Sequence, residues 1–169
     1  MSADLIGNIA NISLALSLLV GLIFGIGQAR AAARDRRERL TLETLTFFSS
    51  REFAELLQYV ETHEMPKTRA EMRALPVNEQ VMFIQFSMLM ENLGILVAEK
   101  MVNLDLVDET LGSFVVTTWA KFKPMALNSR KEDNEGSMSE YFQWLAETID
   151  ARMQANPRPP AYEALPRRH

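Results

Sequence analysis

Leu5 to Gly27 reads LIGNIANISLALSLLVGLIFGIG, about 23 residues without a charge, against the roughly 20 that carry a helix across a hydrocarbon core. Backbone N–H and C=O groups find no water in that core, so a run of this length spans as an α-helix. Asn8 and Asn11 fall near one end, where headgroups and water can satisfy them. Arg30, Arg34, Arg36, Arg37 and Arg39 follow the run, whereas only Asp4 precedes it. The bias of Lys and Arg toward the cytoplasmic side predicts an inner (cytoplasmic) membrane protein with its N-terminus outside and the rest of the chain in the cytoplasm. The five arginines serve as topology and lipid anchors against anionic headgroups. A secretory signal has the opposite order, charge before the apolar run, so the A-x-A-like Ala29-Arg30-Ala31 is not read as a cleavage site.

Within the run, Ser13, Ser17, Gly21 and Gly25 recur at every fourth position and share one helix face. Small side chains let two backbones approach closely, so this ridge predicts self-association of the membrane helix and a homo-oligomer.

Working outward, the expected organisation is all-α: a transmembrane helix over residues 1–28, a basic helical stalk over 29–48, a small cytoplasmic helical bundle over 49–154 and a disordered Pro-rich tail over 155–169. Ser49-x-x-Glu52, Thr68-x-x-Glu71 and Ser137-x-x-Glu140 have capping-box spacing and predict helix starts, and Asp105 is the expected cap of another. Gly112 and Ser113 are expected to break that helix early, and Pro124 to kink it. Lys131 to Gly136 reads as a surface loop.

Val81 to Ala98 is apolar nearly all round, which fits either a central core helix or a second span. Gln85, Glu91 and Asn92 favour the core helix, because an ionisable residue at a bilayer centre costs about 2.5–3.5 kcal/mol. A carboxylate inside such a helix needs a partner, and Arg130 is the expected mate of Glu91 in a buried structural pair. Met82, Met88 and Met90 read as adaptable core filler.

The Glu91-Asn92-Leu93-Gly94-Ile95 turn of sequence, Trp119, Pro124, Arg130 and Tyr141-Phe142-x-Trp144-Leu145, behind a single span and a basic stalk, resemble a family of small bacterial membrane-anchored proteins known only as a domain of unknown function. The resemblance covers Ile12 to about Met153. It implies a bacterial source and an all-helical cytoplasmic domain, and it carries over no catalytic residue.

Catalysis finds little to work with. The chain has no cysteine, two histidines (His63 and His169), no Gly-rich phosphate loop and no paired metal-ligand motif, so no enzyme, cofactor or metal site is expected. His63 beside Glu61 and Glu64 reads as a solvated turn. A net charge of -4 argues against nucleic acid as partner. The leading expectation is a non-catalytic, membrane-tethered interaction or scaffold protein with the lipid bilayer, a second copy and a cytoplasmic protein as partners. One alternative is a ligand-gated membrane effector of bacterial signalling or defence, whose anion pocket would draw on Arg51, Lys121, Lys123 or Arg130. Another is an accessory subunit of a larger membrane complex.

Overall fold

The computed structural model describes residues 3–133, 137–157 and 163. Among them the chain forms α-helices and no strands: α1 (Ala3–Phe47), α2 (Arg51–Thr62), α3 (Arg69–Ala74), α4 (Val77–Ala98), α5 (Leu104–Asp133) and α6 (Glu140–Ala155). The chain divides into two compact units, Met1–Arg39 and Leu40–His169.

Among the described residues the first unit is helix alone. Leu14, Leu16, Leu18, Leu19, Val20, Leu22, Ile23 and Phe24 are all more than half exposed. A helix apolar on every face has no core stripe of its own, and α1 is a candidate membrane span by length and composition.

The second unit begins earlier than the expected boundary at Ser49. Thr41, in the last turns of α1, is buried, and its hydroxyl oxygen accepts the Asn103 N–H at 3.1 Å. The end of the expected stalk is thus part of the helical domain. α4 packs against α6 and α2, and α5 against α6. Phe83, Phe86, Met90, Leu93 and Val97 form the buried stripe of α4, stepping by three and four residues. Phe122 of α5 stacks on Phe83 and Phe86 at 4.9 and 5.0 Å, and Trp119 meets Phe142 edge-on at 5.1 Å. α4 is also long and apolar enough to cross a membrane, yet it forms the middle of this core. Its opposite face is open: Val77, Val81, Ile84 and Met88 stand exposed.

Several helix starts differ from the sequence reading by a residue or two. Ser50, rather than Ser49, caps α2 by accepting the Phe53 N–H at 3.1 Å. Thr68 caps α3 as expected, accepting the Glu71 N–H. At α5 the cap is Asn103, whose side-chain oxygen accepts the Asp105 N–H at 2.9 Å, so Asp105 sits inside the first turn. α5 is not broken at Gly112 and Ser113; it runs through them and through Pro124. Its last turn takes in Lys131 to Asp133, so the expected loop there starts no earlier than residue 134, and residues 134–136 lie outside the described ones. Of the expected tail, residues 158–162 and 164–169 also lie outside them.

Candidate functional site

On α1, Ser13, Ser17, Gly21 and Gly25 share a face as the spacing requires, and the Ser17 hydroxyl donates to the Ser13 carbonyl at 2.9 Å. That bond ties the hydroxyl to its own backbone and leaves the face smooth. A methyl group added at Gly21 or Gly25 would meet nothing within 4 Å. Arg30, Arg34, Arg36, Arg37 and Arg39 all lie on exposed positions of the same helix.

The expected Glu91–Arg130 pair is replaced by a different arrangement. Glu91 is half-buried, and its two carboxylate oxygens accept the backbone N–H groups of Tyr141 and Phe142 at 3.2 and 2.9 Å. Arg130 donates instead to the Met138 carbonyl at 2.8 Å and to the Gln143 side chain at 2.7 Å. Both residues therefore grip the start of α6, from opposite sides of its polarity: the anion on N–H groups, the cation on oxygens. The reason lies in the local cap. Ser139 precedes α6 in the left-handed region at φ 56° and makes no side-chain cap bond, so the expected box from Ser137 does not form. The first N–H groups of a helix carry partial positive charge and need acceptors, and α4 supplies one from fifty residues away. Gly94, one turn further along α4, makes this approach possible, since a Cβ there would lie 2.4 Å from the Tyr141 carbonyl oxygen.

Near the far end of α6, α5 contributes a buried acid that sequence reasoning missed. The Asp108 side chain is 3% exposed and lies 3.3 Å from Arg152, which also hydrogen-bonds Asp105. The Asp105 hydrogen bond raises the Arg152 pKa further above its ordinary value. The signal available was the spacing of Asp105, Asp108 and Gly112, one face of a helix whose missing side chain admits Ile149 and Met153.

The remaining ionisable groups are engaged in separate places. Lys121 donates to the Val60 and Glu61 carbonyls at the end of α2, at 2.6 and 3.2 Å, and so satisfies that helix's last acceptors. Arg51 pairs with Glu55 at 2.8 Å at the helix's start, and Lys123 lies exposed on α5. With Arg130 at α6, these four cations do not converge on one anion pocket within a single chain. His63 contacts the Thr62 hydroxyl and the Tyr59 carbonyl through Nδ1, at 2.9 and 3.0 Å. Among the described residues no cluster of three His, Asp or Glu side chains is arranged to hold a metal ion.

The model of a domain of unknown function, DUF4760, matches residues 15–149. The chain belongs to this family. No curated protein and no solved structure gives a significant match. The DUF4760 match takes in Ser17, Gly21 and Gly25, the five arginines, Glu91, Gly94, Asp108 and Arg130, and stops short of Arg152. The DUF4760 region thus runs continuously from the candidate span into the helical domain.

One polar atom of this domain has a testable cost. The Tyr59 hydroxyl is buried without a hydrogen-bond partner, and burial first, then the charge of Glu79, pushes its pKa above the ordinary 10.0. Tyr59→Phe is expected to leave stability unchanged or raise it by about 1 kcal/mol at pH 7, because it removes an unsatisfied group. A phenol whose folded pKa is raised stabilises below the unfolded value and loses that contribution as pH rises through the folded one. Thermal melts of the wild type should therefore fall relative to Tyr59→Phe above about pH 10; a constant offset at every pH would contradict the assignment.

Proposed function

We propose that the protein is a non-catalytic interaction module tethered to the inner membrane of a bacterium, with its N-terminus outside and its helical domain presented to a cytoplasmic protein partner. The observation that carries this reading is the exposure of α1's apolar side chains from Leu14 to Phe24 on every face, followed at once by the arginine collar. Each such Leu, Ile, Val or Phe gains about 0.3–0.6 kcal/mol at a bilayer centre on insertion scales, and in water each stays a cost. The collar resists translocation and holds the following residues on the cytoplasmic side.

Two copies pair through Ser13, Ser17, Gly21 and Gly25, where nothing among the described residues lies within 4 Å of a Cβ built on either glycine. A single cysteine introduced before the span should react with an impermeant maleimide from outside the inner membrane, and the protein should resist a carbonate wash. Release by the wash, or a front end shielded from the reagent, would reverse the reading. Gly21→Leu with Gly25→Leu should reduce oligomer formation in bilayers while leaving the melting of the helical domain unchanged. An unaltered oligomer would remove the ridge from the proposal and leave the tether standing.

A further inference from the structure

α4 carries two apolar faces, and the core uses one. On the other, Val77, Val81, Ile84 and Met88 are 75%, 46%, 44% and 60% exposed. Their steps of four, three and four residues make a heptad seam, and at 3.6 residues per turn all lie within about 40° of Met88. Exposed apolar side chains scattered singly need no explanation, whereas a contiguous row along three turns marks a docking surface.

The seam has an acidic side and a basic side. A groove of about 470 Å³ borders it along Gln85 and Leu89, with Glu52 and Glu55 of α2 on its far wall. A second groove of about 250 Å³ borders it along Ile84 and Ser87, with Arg69 and Arg73 of α3 opposite. Met88 belongs to both, so it is the ridge between them. Arg51 pairs with Glu55, which leaves Glu52 as the sharper probe of the acidic side.

This layout selects the occupant and its direction. If a second copy's seam is laid on the first with the helices antiparallel, the two-fold axis crosses them, and acid faces acid while base faces base. With the helices parallel, the axis runs along the seam and each acidic side meets the partner's basic side, twice over. Like charges across an interface are unfavourable and complementary ones fix register. We propose that α4 pairs in parallel with α4 of a second copy through Val77, Val81, Ile84 and Met88, flanked by Glu52–Arg73 contacts between copies. The pairing goes beyond self-association through α1 and stands without it.

The chain has no cysteine, so single-cysteine variants of the full-length protein in liposomes read the interface directly. Val77→Cys, Ile84→Cys and Met88→Cys should each form disulfide-linked dimers on mild oxidation, because a parallel two-fold sets every seam residue beside itself. Ala54→Cys and Ala120→Cys, at exposed positions away from the seam, should not. Glu52→Arg and Arg73→Glu should each lower cross-linking at Met88→Cys severalfold, and the double reversal should restore it. The same pattern is expected in the Gly21→Leu, Gly25→Leu background, which separates this interface from the α1 ridge. Folding of each variant is checked by its melting curve. Absence of cross-links at the seam in folded protein, cross-linking at a single central position as an antiparallel pair gives, or indifference to charge reversal would each overturn the proposal.

Discussion

Replacing Gly94 by alanine is expected to be among the most damaging single methyl additions in the helical domain, costing about 3 kcal/mol or more, at the upper end of overpacking effects. The new Cβ would lie 2.4 Å from the Tyr141 carbonyl oxygen, 2.6 Å from its carbon and 2.9 Å from its Cβ. Two of these atoms are backbone and cannot swing away, so α4 and α6 must separate, and the contacts of Phe142 and Leu145 with the core loosen together. In a helix interior the exchange of glycine for alanine otherwise gains about 0.5–1 kcal/mol, so the sign of the change isolates the clash. Gly112→Ala is the control. Its Cβ would meet the Asp108 carboxylate and the Met153 methyl at 2.9 Å, both ends of side chains that can turn. Chemical denaturation of the full chain in detergent should place Gly94→Ala well below Gly112→Ala; equal effects would mean that the helices have slack where none is visible.

The helices themselves were legible because their signals are local. The uncharged run from Leu5 to Gly27 and the cap at Thr68 are both read from neighbouring residues. What escaped was long-range. Nothing near Ser137 announces that Ser139 adopts a left-handed conformation and that its cap comes from Glu91. Glu91 and Arg130 have the complementary charges of a pair but not its geometry, since both reach the same turn without needing each other. Gly112 looked like a helix breaker because its propensity is poor, yet its missing side chain is what admits Ile149 and Met153 of α6. The continuous apolar character of Val81 to Ala98 concealed a division into a buried face and an open seam, which only the placement of α2, α3 and α6 around α4 could reveal.

The role of Glu91 separates the two geometries by experiment. A direct ion pair predicts that Glu91→Ala costs about 3–5 kcal/mol, because it strands a buried arginine, and that removing Arg130 as well recovers much of the loss. The structure predicts otherwise. Glu91→Ala removes the acceptor of two backbone N–H groups at the start of α6, and hydrogen bonds to a charged group contribute about 1.5–3 kcal/mol each; with the site half open to water, a total near 3 kcal/mol is expected. Glu91→Gln should recover less than half of it, since one amide end presents donors to donors. Arg130→Met should cost less than Glu91→Ala, since water can replace it at the Met138 carbonyl more easily than at two helix N–H groups. Because the two side chains act on the same turn through different atoms, the double variant should be less stable than either single one. A double variant as stable as Glu91→Ala alone would restore the ion pair and remove the α6 cap from the account of this fold.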